Sequence, residues 1–171
     1  MLVTISGLPG SGTSTVARQV AAALGLEHLD GGTVFRAMAA EQGLDVQAFS
    51  AVAEADPAFD LRRDERLAAR AREGDVVLES RLAGWIARNE GLAARSVWLA
   101  CDPVERARRV ASREGRTVDQ AVGDNGRREA SERQRYLAYY GIDLADLSIY
   151  ALVLDSGRAA PAELVAAVVD G

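Results

Sequence analysis

The sequence predicts an α/β fold, a single domain of 171 residues on a doubly wound, mainly parallel, five-stranded sheet. Two observations carry this. Short apolar runs alternate with helical patterns along the whole chain, with no internal repeat, linker or low-complexity tract. Gly7, Glu79 and Asp102, three residues suited to chemistry, also fall at the carboxyl ends of apolar runs. In a parallel sheet that is one edge, where ligands bind.

Leu2 to Ile5 reads as the first buried strand. A glycine-rich loop follows, Gly7-Leu8-Pro9-Gly10-Ser11-Gly12-Thr13-Ser14-Thr15. It opens a helix from Ser14 to Leu24, with Val16, Val20, Ala23 and Leu24 at helical spacing and Gly25 as a left-handed cap. Strand, glycine loop and helix in this order make a phosphate-binding P-loop. The glycines let successive N–H groups converge, and the helix N-terminus adds its dipole toward an anion. Ser14 stands where a hydroxyl would ligate Mg²⁺, and Thr13 where the pattern has lysine. The chain contains no lysine: its twenty basic residues are all arginine. On the loop alone two readings stand, a nucleotide site or a glycine-rich turn that only caps a helix. The shared edge of Gly7, Glu79 and Asp102 favours the first.

Leu26 to Leu29 is a brief second strand, and Asp30-Gly31-Gly32-Thr33 caps a helix from about Val34 to Gln42. Helical patterning resumes from Val46 to Ala55, stops at Asp56-Pro57, and runs again from Leu61 to Glu73. Val76 to Glu79 is the third strand and Arg95 to Cys101 the fourth, with Trp98 in the core. Asp102-Pro103-Val104-Glu105 opens a helix with an Asp cap, Pro at the first position and Glu three residues after the cap. Arg106, Arg109 and Arg113 line up along it. The stretch from Gly115 to Gly126 is either a loop tip or a weak spot in a helix; Glu129 and Arg133, four apart, support helix to about Tyr140. Leu152 to Asp155 is the last strand, and Pro161 begins a helix with Leu164, Val165, Val168 and Val169 on one face.

Apolar residues make up 49% and charged residues 26%, the balance of a soluble globular protein. No apolar run approaches the ~20 residues that span a bilayer, and the first strand lacks a signal peptide's lead-in, so the expected location is the cytoplasm. A net charge of −5 argues against nucleic-acid or membrane-surface binding. Cys101 reads as a buried structural thiol and His28, the single histidine, as a packing residue. Arg36, Arg81, Arg106, Arg109, Arg113, Arg116, Arg127 and Arg128 fall where they would surround the glycine loop. Their planar forks grip phosphate, although each except Arg36 and Arg81 reads equally as a solvated residue on a helix face.

Four further blocks extend the pattern: Gly32-Thr33-Val34-Phe35-Arg36-Ala37-Met38-Ala39, Val77 to Trp85, Arg128 to Tyr136, and Tyr139 to Tyr150. With the loop, they make the chain resemble, nearly end to end, the short cytidylate kinases typified by archaeal members of the nucleoside monophosphate kinases. The loop is shared with many kinases, whereas the last two blocks are much more specific. The resemblance implies transfer of the γ-phosphate of ATP to CMP, and also to dCMP. Gly7, Leu8, Pro9, Gly10, Ser11, Gly12, Thr13, Ser14 and Thr15 would wrap the ATP phosphates. Arg36 and Arg81 would hold the acceptor's phosphate, with helices between about 30 and 74 forming its pocket. Arg113, Arg116 and Arg128 would act on the transferring group from a lid over about 110–130, with substrate-binding Arg135 just behind. Mg²⁺ would be held by Ser14 and, through water, by Glu79. A monomer is implied. Departures from the family pattern are Thr13 for lysine, Ser80 for glycine and Ala151 for aspartate. Two rivals share the loop: a nonenzymatic nucleotide-binding sensor, and a small-metabolite kinase of the shikimate type, which would lack the Tyr139-to-Tyr150 block.

Overall fold

β1 (Leu2–Gly7) lies at the centre of five strands and is buried at every position. The computed structural model describes the backbone of residues 1–171 and the side chains of all but residues 46, 47, 50 and 51. β2 (Glu27–Asp30), β3 (Val76–Glu79), β4 (Arg95–Ala100) and β5 (Leu152–Asp155) complete a sheet in the order β2-β3-β1-β4-β5. Each neighbouring pair is parallel, with Ile5 opposite Glu79 on one side and Gly7 opposite Leu99 on the other. Strand order therefore reverses at β1, and the crevice of such a sheet opens beyond the carboxyl end of that strand.

Side-chain alternation along the strands sorts the core into two layers. Leu2, Val76 and Leu78 face α4 (Pro57–Glu73), α5 (Ala83–Asn89) and the end of α7 (Val118–Tyr140), packing on Leu67, Ile86, Tyr136 and Ile142. Val3, Ile5, Val77, Val97 and Leu99 face the other way, onto α1 (Thr13–Leu24) and α8 (Pro161–Asp170) through Val16, Val20, Leu164 and Val168. The predicted double winding is present. Val165 packs at the rim of the second layer and Val169 is half-buried, so the expected face of α8 is broadly as read.

Two satellite helix groups rise above the carboxyl edge. α2 (Gly31–Glu41) and α3 (Val46–Ala55) close over a small core of Met38, Ala39 and Phe49, with Phe35 and Phe59 against it. α6 (Pro103–Glu114) packs on the start of α7 through Ala107, Val110, Ala111 and Ala121.

Several local expectations are corrected. Asp56-Pro57 ends α3 as expected but also starts α4, four residues before the expected Leu61: Asp56 accepts from the Ala58 N–H at 2.9 Å and Pro57 occupies the first turn. Of the ambiguous stretch, Gly115 caps α6 and Val118 to Gly126 belong to a continuous α7, begun by a capping box in which Thr117 and Gln120 bond each other's backbone. Glu129 pairs with Arg106 instead of Arg133, because its side chain meets α6. α5 went unread, its seven residues including Gly84. Cys101 follows β4 and is only half-buried, outside the core clusters.

Candidate active site

The loop after β1 curls as its glycines demand. Gly10 and Gly12 take φ of 84° and 88°, a left-handed region that costs other residues energy. Gly7 also admits no side chain, since a Cβ there would stand 2.4 Å from the Ser11 hydroxyl and 2.9 Å from the Leu99 carbonyl. α1 then begins at Thr13, with no side chain capping its first turn and with the Thr15 and Val16 N–H groups bonded to the Gly12 carbonyl. Anions bind at such a place.

Glu79, at the end of β3, closes the loop from below. It is buried, and one carboxylate oxygen accepts from the Thr13 hydroxyl at 2.8 Å and the Ser14 hydroxyl at 2.6 Å. The other oxygen meets His28 Nε2 at 2.9 Å. His28 is thus not a mere packing residue: from β2 it holds the carboxylate that anchors the loop hydroxyls. Alternation along β2 and β3 brings the two side chains to one face, which sequence could show only if the pairing of those strands were known. Hydroxyl and carboxylate oxygens side by side are hard-donor chemistry that suits Mg²⁺, and few protein ligands are needed when phosphates supply the rest. The residues present fit that ion. Thr13, in the lysine position, spends its hydroxyl on Glu79.

One cavity of about 840 Å³ runs from this loop across to the satellite helices. Its wall includes Leu8, Pro9, Gly10, Thr13 and Ser14 on one side and Arg36, Arg81, Arg113, Arg127, Arg128 and Arg135 on the other. Glu79 lies between them. Arg116 is not in that wall; it pairs with Glu114 and Asp124. Neither are Arg106 and Arg109: the first is buried beneath the loop, and the second donates to the Ser156 carbonyl at 2.8 Å.

Arg36 stands one turn into α2, its Nη2 donating to the Thr33 hydroxyl at 2.7 Å and to Asp30 at 3.3 Å. Asp30 also caps the helix through the Gly32 and Thr33 N–H groups. Burial opposes the charge on Asp30, but these bonds and Arg36 outweigh it and hold its carboxyl below the usual range. Arg81 donates Nη1 to the Gly7 carbonyl at 2.7 Å and Nε to Glu132 at 3.0 Å. Ser80, for its part, accepts from the Leu82 N–H at 3.2 Å and packs against Gly31, where a Cβ would come to 3.1 Å.

Glu132 is the residue that sequence reasoning missed. It is buried on α7 and accepts from Arg81 and, at 2.9 Å, from Arg128. Burial would raise its carboxyl, yet Arg81 and Arg128 overcome this and lower it. Its position four residues after Arg128 was the available signal. Deeper still, Asp60 accepts from Arg135 at 2.7 Å and forms an ion pair with Arg63 at 3.0 Å, and Asp64 accepts from Arg63 and the Tyr140 hydroxyl. Burial pushes Asp60 up, and it pushes the Tyr136 phenol to about 12. Arginine forks held by buried carboxylates, as Arg81 and Arg135 are, can hold anions firmly, because little need reorganise when the charge arrives.

A parallel sheet in this order, wound on both faces and carrying a glycine loop at a helix N-terminus, defines the P-loop kinase class. Among solved structures, an uncharacterized protein from Eubacterium ventriosum is similar at a TM-score of 0.75, with 16% identity over 99% of this chain and 96% of that one. A shikimate kinase from Bacteroides thetaiotaomicron is similar at 0.62, with 13% identity over 99% and 94%. At such identities the likeness shows the fold alone. Sequence goes further. Residues 2–158 match the cytidylate kinase-like family. A cytidylate kinase of Methanopyrus kandleri is 47% identical over 92% of this chain and 86% of its own length, and one of Halobacterium salinarum 46% over 99% and 88%. The chain belongs to the cytidylate kinase-like family.

Proposed function

We propose that this chain transfers the γ-phosphoryl group of ATP to CMP, giving ADP and CDP, and that dCMP is accepted as well. One observation carries the reading: a single cavity joins the glycine loop to an arginine-lined wall wide enough for a second phosphorylated molecule. Family membership and the cytidylate kinase names of the relatives support the choice of acceptor.

In this reading the loop N–H groups face the ATP phosphates, and Arg36 and Arg81 hold the phosphate of CMP. An oxygen of that phosphate, ionised at neutral pH, forms the new bond to the γ-phosphorus while the bond to the β–γ bridging oxygen breaks. No protein base is needed. Arg113 and Arg128 offset charge on the migrating group. Mg²⁺, when held by the Ser14 hydroxyl and through water by Glu79, supplies charge neutralisation at the β- and γ-phosphates. α6 and the start of α7, covering the expected lid, exclude the water that would otherwise compete with CMP. Among the described residues no helix is long and apolar enough to cross a membrane. A cytoplasmic monomer without nucleic-acid partners completes the reading.

Initial rates with ATP and CMP, dCMP, UMP, AMP or shikimate test it. CMP and dCMP should be the best acceptors. Turnover of shikimate alone, or of none of the five, would overturn it.

A further inference from the structure

Arg106 is 3% exposed and does not itself line the cavity, although it touches residues that do. Its guanidinium instead joins three segments. Nε donates to the Cys101 carbonyl at 3.2 Å, just past β4. Nη1 donates to the Pro9 carbonyl at 3.2 Å, inside the glycine loop. Nη1 and Nη2 both reach the Glu129 carboxylate on α7. The loop also rests on the backbone of the same residue, since a Cβ at Gly10 would come within 2.4 Å of the Arg106 carbonyl oxygen.

The consequence at the loop follows from peptide geometry. In a trans peptide the C=O and the next N–H point opposite ways. Drawing the Pro9 carbonyl toward Arg106 therefore turns the Gly10 N–H away from it, toward the mouth of the loop. At the other end, Glu129 is the neighbour of Arg128, which lines the cavity, and lies one turn before Glu132, which holds Arg81. A buried arginine is costly unless its partners are fixed, so a shift at either end is felt at the other.

The geometry points to Arg106 and Glu129 as positioning residues that couple occupancy of the ATP loop to the arginines that take the acceptor's phosphate. This inference rests on the CMP kinase reading. ATP bound in the loop fixes the Pro9–Gly10 peptide, the pair passes that order to α7, and CMP then binds to arginines already aligned. Linkage makes the effect reciprocal: each nucleotide tightens the other by the same factor.

The test is calorimetric titration with CMP and a non-hydrolysable ATP analogue, each alone and in the presence of the other. Wild type should show a coupling factor of roughly five or more. Glu129→Gln should bring it close to one while leaving the Kd of the analogue alone within about threefold, a pattern that general weakening would not give. Arg106→Lys should also weaken the analogue alone, roughly tenfold, because the Pro9 carbonyl loses its fork. Should the single variants unfold, the double variant Arg106→Met, Glu129→Met removes both charges at similar volume and should fold uncoupled. Wild-type coupling in Glu129→Gln or in the double variant would overturn the inference. So would a wild type that binds both nucleotides independently, and that result leaves the kinase reading standing. A wild type that does not bind CMP overturns both.

Discussion

Glu132 and Arg81 meet at 3.0 Å in the cavity wall, one from α7 and the other from just past β3, so a single carboxylate fixes how Arg81 presents its remaining N–H groups. Arg128 shares that carboxylate at 2.9 Å.

The pair predicts a pH signature. Glu132 is held below the ordinary glutamate value of 4.5, with burial opposing the shift and the two arginines driving it. A lowered folded pKa means that the unfolded chain binds the proton more readily. The stabilisation is therefore complete above pH 4.5 and is lost as pH falls through the folded value. Glu132→Gln should destabilise the protein by about 2–4 kcal/mol at neutral pH in denaturant unfolding, and by less below about pH 4. A cost that does not change with pH would mean that charge pairing is not what Glu132 supplies.

Glu79 binds three side chains at once, which makes its substitution informative. Glu79→Gln should lower turnover at least tenfold and move the Mg²⁺ dependence to higher concentration, and a chelator should abolish wild-type activity. An unshifted Mg²⁺ curve with a lowered melting temperature would assign Glu79 a purely structural part.

Thr13 leaves the loop without a lysine charge, and the structure narrows what can replace it. Arg113 lines the cavity while bonding Glu114 at 2.9 Å, whereas Arg116 lies outside the wall and is held by Glu114 and Asp124. Arg113→Ala should cost roughly 10- to 100-fold in turnover, Arg116→Ala under about threefold, and Thr13→Lys should partly rescue the former. Equal and small effects of both arginine variants would leave the compensation to backbone N–H groups and the metal.

Gly84 tests the fold beneath the site. A Cβ there would stand 2.4 Å from the Tyr150 ring, which packs at 5.3 Å from the centroid of Trp98. Gly84→Ala should cost about 1–3 kcal/mol, seen as a lower denaturant midpoint. A neutral result would show that Tyr150 can move aside.

What sequence could show tracks how local each signal is. β1, the glycine loop and α1 were legible because apolar run, glycines and Gly25 cap lie within one stretch. β3 and α6 were equally plain, the latter from its Asp102 cap, which accepts from the Val104 and Glu105 N–H groups. The Thr117–Gln120 capping box carried the same kind of local signal, but Gly123 and Gly126 obscured the helix that follows. Strand order was not legible, since β1 pairs with segments about 70 and 90 residues away and the pairing is settled by tertiary packing. For that reason His28 on Glu79, Arg106 on Glu129 and Glu132 on Arg81 stayed hidden, though each residue type was in view. Arg36 and Arg81 line the cavity, and their hold on an acceptor's phosphate belongs to the proposed reading.

The fate of the γ-phosphoryl group tests the central claim most directly. With ATP labelled at that position and CMP present, label should appear on CDP in equal amount to the ADP formed, and very little should be released as inorganic phosphate. Label that remains on ATP, or that passes to water at the same rate with and without CMP, would contradict a CMP kinase and leave a nucleotide-binding protein or a hydrolase in its place.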